Sequence, residues 1–89
     1  MKLDKITHRE YVVLIDRSIH PRIPWLGEIE WHASRDGKRV GVVIFDNADN
    51  DYSWVLIDRR GRRDWEAIDL GVSSATPEEA RQKLYEASQ

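Results

Sequence analysis

The chain has no cysteine among its 89 residues. That one absence excludes disulfide frameworks, thiolate metal sites and cysteine nucleophiles, and it suits a reducing compartment. Glycine is scarce and scattered, with five in all, so no Gly-rich loop could cradle a phosphate. Long apolar runs are also missing. The first is only Val12 to Ile15 behind Tyr11, whereas a signal peptide needs about 7–15 apolar residues near a positive start. A membrane-spanning helix needs roughly 20. The expectation is a soluble, cytoplasmic chain with no membrane partner. No internal repeat is present beyond recurring strand-turn-strand patterns.

What is present is ordinary for a globular chain: 40% hydrophobic and 34% charged residues, with 14 Lys+Arg against 16 Asp+Glu and a net charge of -2. That composition argues against wholesale disorder. A length of 89 residues predicts one domain, 1–89, since domains run to roughly 100–200 residues.

Hydrophobic periodicity predicts five strands and a helix. Residues 9–16 are β-branched and aromatic with charged ends, which reads as a first strand. Residues 17–27 contain Pro21, Pro24, Trp25 and Gly27 and read as a loop or extended arm. In 28–34, Ile29, Trp31 and Ala33 alternate with polar residues, the period of a half-buried strand. Asp36-Gly37 then suits a two-residue type I′ hairpin turn. A return strand over 39–46 would set Ala33 opposite Val40, Trp31 opposite Val42 and Ile29 opposite Ile44. Strands over 52–58 and 63–70 follow, joined around Gly61. If Arg60 and Gly61 are the central turn residues, Leu56 faces Trp65, Trp54 faces Ala67 and Asp58 faces Arg63; a three-residue turn would pair Ile57 with Trp65 instead. At the carboxyl end, Thr76, Pro77 and Glu79 form a capping box that starts a helix over 77–87. The fold class is therefore α+β, a five-stranded antiparallel meander followed by one C-terminal helix.

This layout puts Ile29, Trp31, Val40, Val42, Ile44, Trp54, Leu56 and Trp65 on one sheet face. Val43, Phe45, Val55, Ile57 and Ile68 fall on the other, interrupted by Glu30, Asp64 and Glu66. A helix of about eleven residues is roughly 16 Å long, and its stripe of Ala80, Leu84 and Ala87 can cover only one face. Either the sheet curls into a half-barrel with Trp25 and the Pro-containing arm as a plug, or the aromatic face is completed by a second copy or another protein.

Charge is polarised along the strands. The turns after the second and fourth strands share one end, bearing Arg35, Lys38, Arg39, Arg59, Arg60, Arg62 and Arg63. The loop 46–51 lies at the other end with Asp46, Asp49 and Asp51, about 23 Å away and beyond the screening length. A basic end can contact nucleic-acid phosphates, or it can simply solubilise turn tips and protect strand edges. The overall balance is not basic, unlike that of most nucleic-acid domains.

Metal and catalytic signals are weak. The acidic loop resembles a calcium loop in composition but fails the spacing, with Ala48 at the third position and Ile57 at the twelfth. His8, His20 and His32 lie twelve residues apart and share no local ligand spacing. No serine lies in a nucleophile turn. Glu30 with Glu66, or Asp58 with Asp64, could meet across strands, but neither pattern marks a site. The sequence therefore predicts a non-enzymatic protein-interaction or accessory module, without metal or cofactor, acting through Trp25, Trp31, Trp54 and Trp65, with a homodimer as one form. The second expectation is a nucleic-acid binder using the basic end, and a small enzyme is the third.

Overall fold

The computed structural model describes residues 2–15, 27–61 and 64–89. Seven elements follow in chain order: β1 (Leu3–Ile6), α1 (His8–Ile15), β2 (Glu28–Ser34), β3 (Arg39–Asp46), β4 (Asp51–Arg59), β5 (Trp65–Ser74) and α2 (Pro77–Ala87). The five strands form one open antiparallel sheet in the order β1-β2-β3-β4-β5, a meander with α2 after it. The α+β class and the meander are as expected. Among the described residues, no helix is long and apolar enough to cross a membrane.

The expected first strand over 9–16 is a helix. Thr7 Oγ1 accepts the Glu10 N–H at 3.2 Å, and the Thr7 N–H donates to Glu10 Oε1 at 3.1 Å. This is a reciprocal capping box, built like the one at α2, where Thr76 Oγ1 accepts the Glu79 N–H. Once nucleated, the segment spaces Tyr11 and Ile15 one helical turn apart, and both are buried. The true first strand, β1, lies upstream and pairs Leu3 with Ser34 and Ile6 with Trp31.

The β2–β3 hairpin has the expected Ala33–Val40 and Trp31–Val42 pairs. A bulge then intervenes, so Glu28 rather than Ile29 lies opposite Ile44. Gly37 has a φ of +73° but Asp36 is not in the left-handed region, so the turn is not type I′. Instead the Asp36 carboxylate accepts the Ser34 hydroxyl and the Lys38 N–H, an Asx-type closure.

The face assignment of β4 is reversed from expectation. Asp46 pairs with Asp51 across the β3–β4 connection, which sets Val42 opposite Val55 and Val40 opposite Ile57. A one-residue change of parity moves every side chain to the other face. Val55 and Ile57 therefore join Val40, Val42, Ala33, Tyr11 and Ile15 in one core, with Trp31, Trp65 and Ile6 at its margin. Trp54 and Leu56 join Leu3, Val43, Ala80 and Leu84 in the other. The β4–β5 register also differs from both expected alternatives: Arg59 faces Trp65, Asp58 faces Glu66 and Ile57 faces Ala67. Asp58 instead meets Arg39, at 3.7 Å.

Each sheet face thus has its own helix, α1 on one and α2 on the other. The apolar surplus expected from a single helix is mostly absorbed by the second. Gly41 admits α2, because a Cβ there would lie 2.6 Å from Leu84 Cδ2. The Pro-containing segment 17–26, its plug role and Trp25 lie outside the described residues.

Candidate functional site

Four places on the molecule carry exposed apolar surface or clustered polar groups, and they differ in what they leave available.

The first is strand β5, one of the two sheet edges. At eight residues, α1 spans roughly 12 Å; it meets this strand at its first residue, Trp65, and leaves the residues beyond uncovered. Ile68, Leu70 and Val72 are left 42%, 61% and 66% exposed. Leu70 pairs with Val55, so it lies on the α1 side of the sheet. On the opposite side the strand is locked down by Gly71, where a Cβ would overlap the Trp54 indole. Two register shifts flank the segment, between Leu56 and Ile57 and between Tyr52 and Trp54 on the facing strand. The Leu70 N–H donates to Asp69 Oδ1 at 2.9 Å, so a carboxylate oxygen holds an amide at the exposed edge. The other edge, β1, is four residues long with exposed Asp4 and Lys5 at its centre, the usual protection of an edge strand.

The four tryptophans do not form a shared surface. Trp31 and Trp65 sit on the α1 face, half-buried, with their indole N–H groups donated to Glu28 Oε2 and to the Ile15 carbonyl. Trp54 is buried on the α2 face, and Trp25 lies outside the described residues. The aromatic content is therefore largely spent inside the fold.

The second place is the basic end. The Arg59 N–H donates to the Lys38 carbonyl at 2.8 Å, and its Nε donates to the Gly37 carbonyl at 2.8 Å. The two turns do converge there, as expected from a meander. Arg39 pairs with Asp58, and Arg60 with Asp64 and Glu66. Arg35 and Lys38 carry no ion pair among the described residues, while Arg62 and Arg63 lie outside them. Among the described residues, Arg39 and Arg60 are thus matched by carboxylates, Arg59 is held by a carbonyl, and Arg35 and Lys38 are left to solvent.

The third place is the loop end, where carboxylate oxygens of Asp46, Asp49 and Asp51 lie within 4.8 Å of one another. Asp46 Oδ1 accepts the Ala48 N–H, and Asn50 has a φ of +54°, so this geometry is that of a tight polar turn.

The fourth place was not singled out by sequence reasoning. Glu30 and His32 share the α2 face of β2, and α2 brings Arg81 and Tyr85 down onto them. Arg81 Nε donates to Glu30 Oε1 at 2.8 Å and its Nη2 to Oε2. His32 Nε2 lies 3.0 Å from Glu30 Oε1, and its Nδ1 2.8 Å from the Tyr85 hydroxyl. His32 is fully buried. The Arg81 hydrogen bonds hold the Glu30 carboxyl below its ordinary pKa, against the opposing effect of its burial. Burial pushes the His32 pKa down, outweighing the attraction of Glu30, which favours the neutral ring. Tyr85 is pushed up, chiefly by burial. The only local signal was Glu30-x-His32 on one strand face; Arg81 and Tyr85 follow about fifty residues later, at helical i, i+4 spacing.

In comparisons with known proteins, no family model matches this chain, and neither a curated protein nor a solved structure does.

Proposed function

We propose that the protein is a small non-enzymatic interaction module that binds a second copy of itself along edge strand β5. The observation that carries this reading is the run of exposed Ile68, Leu70 and Val72 on a ten-residue edge strand. That strand has no lysine, arginine or proline; its protections are Glu66, Asp69 and two register shifts, which leave Ile68, Leu70 and Val72 uncovered.

The choice of a second copy rests on charge and register. Antiparallel pairing about a two-fold axis at Leu70 sets Leu70 against its counterpart and Ile68 against Val72. It sets Asp69 against Gly71 and Glu66 against Ser74, so no carboxylates oppose each other. A two-fold at Asp69 would oppose like charges directly, which is unfavourable. Such a strip lies at the small end of specific interfaces, which suits a reversible dimer. Mutual pairing would replace the Asp69 carboxylate on the Leu70 amide by a backbone carbonyl.

A nucleic-acid role for the basic end has less support, because Arg39, Arg59 and Arg60 are already committed to carboxylates or a backbone carbonyl. An enzymatic role has less still, since the Glu30–His32–Arg81–Tyr85 chain centres on a fully buried histidine. A cytoplasmic setting belongs to the same proposal, and the cysteine-free composition suits it.

The test is sedimentation across a concentration series for the parent chain and for a Leu70→Lys, Val72→Lys double variant. The parent is expected to pass from monomer to dimer with rising concentration, and the variant to stay monomeric with unchanged circular dichroism. A parent that is monomeric throughout, or a variant that dimerises equally well, overturns the reading.

A further inference from the structure

Apart from the docking strand, the Arg81–Glu30–His32–Tyr85 chain has a directionality that its partners dictate. Arg81 supplies only donors, so Glu30 is ionised and can only accept. The ring nitrogen facing Glu30, Nε2, therefore carries the proton of the neutral imidazole. The other nitrogen, Nδ1, is left as an acceptor, and the Tyr85 hydroxyl donates to it. Every proton in the chain is assigned by the group before it, from the guanidinium outward.

We propose that this chain is a proton-operated latch between α2 and the sheet, closed while His32 is neutral and loosened when its Nδ1 takes up a proton. A protonated ring donates from both nitrogens. The Tyr85 hydroxyl would then have to turn its own hydrogen out of the cluster, where it has no other partner among the described residues. The new positive charge would also be poorly received. From α2 it faces Arg81. From β1 it faces Lys5, its cross-strand neighbour, while Asp4 pairs with Ala33 of the opposite core. From β3 it faces only Gly41, which brings no charge. Among the described residues, Glu30 is the one carboxylate in contact with the ring, and Arg81 already shares it.

What the latch controls is the second apolar face. Helix α2 shelters Leu3, Val43, Trp54 and Leu56, and Tyr85 and Arg81 are its polar attachments to β2. Loosening that end of α2 exposes apolar surface on the side of the sheet opposite Leu70. The device makes the helix, not the sheet, the acid-sensitive part of the molecule.

Amide hydrogen exchange between pH 7.5 and 5.0 tests this, expressed as protection relative to a free amide at each pH. Uptake of one proton lets protection fall by up to tenfold per pH unit. That fall is expected for the amides of Leu84 to Ser88 below the ordinary histidine value of 6.5, while those of Val40 to Val43 hold. His32→Gln should remove the pH response. If that variant does not fold, nitrogen chemical shifts of the His32 ring in the parent chain decide instead, with the proton expected on Nε2 at pH 7.5. Protection of α2 that is flat with pH, that falls in step with β3, or a ring proton found on Nδ1 would each overturn the latch.

Discussion

Arg81→Ala removes both N–H donors from Glu30 while leaving the carboxylate in place. The Glu30 side chain is 9% exposed and that of Arg81 is 34%, so the carboxylate is the member that cannot return to water. Breaking a buried pair by deleting one partner costs about 3–5 kcal/mol. Because Arg81 is partly solvated, water can enter where it leaves, and we expect about 2–3 kcal/mol at pH 7. At about 4–8 °C per kcal/mol for a domain of this size, Tm should fall by roughly 10–20 °C. Urea unfolding followed by tryptophan fluorescence measures the first quantity and thermal circular dichroism the second. A paired Glu30→Gln, Arg81→Met variant, with no charge left to bury, should be less destabilised than Arg81→Ala alone. Arg81→Lys should recover only part of the loss, since an ammonium cannot reproduce the two-pronged contact. The deficit should also shrink in acid. Glu30 is held below 4.5 in the folded chain, so the unfolded chain binds the proton first. The stabilisation is whole above pH 4.5 and is lost as pH falls further. An Arg81→Ala chain within about 0.5 kcal/mol of the parent, the range of ordinary surface substitutions, would refute the claim that this pair is structurally buried.

Three further outcomes follow from the same geometry. Thr7→Ala should cost about 1 kcal/mol in urea unfolding, because Thr7 caps α1 as Thr76 caps α2; no change would mean that α1 does not depend on its box. Asp51→Asn should raise stability by a few tenths of a kcal/mol, an effect that fades in high salt, since Asp46 and Asp51 are directly opposed like charges; a loss of stability would contradict that reading. Gly71→Val should destabilise by about 1–3 kcal/mol through overpacking and shift the Trp54 emission; an unshifted spectrum would show that the indole does not lie over β5.

The parts of this fold legible in the sequence are those whose signals are local. The hairpin from Glu28 to Asp46 is legible in its strands and in its Ala33–Val40 and Trp31–Val42 pairs because alternation marks them, though not in its turn type or its bulge, and α2 is legible because Thr76, Pro77 and Glu79 stand together. Helix α1 reads as a strand because Tyr11, Val12, Val13 and Ile15 favour strand by residue type, which masks the equally local Thr7–Glu10 box. That error cascaded: with no second helix, the sheet seemed to carry more apolar surface than it could cover. The reversal of Trp54 and Leu56 came from the parity of the connection between Asp46 and Asp51, which no residue type dictates. Ile68 and Leu70 were visible as apolar residues near the end of a strand. Their exposure was not, because it depends on β5 being an edge that α1 meets at Trp65 but does not cover along its length. The Glu30–His32 cluster is legible only as two polar residues on one strand face, since its other half is supplied by a helix far along the chain.

The most direct test of the docking claim uses the absence of cysteine, which makes any introduced thiol unique. In a hydrogen-bonded antiparallel pair the facing Cα atoms lie about 5.5 Å apart, which puts two thiols at this position within reach of a short bifunctional thiol crosslinker. Leu70→Cys is therefore expected to form covalent dimers rapidly with such a reagent, and far faster than Val13→Cys, whose site on α1 is 63% exposed. Equal rates for the two variants, or no covalent dimer from Leu70→Cys, would contradict pairing of two copies about Leu70.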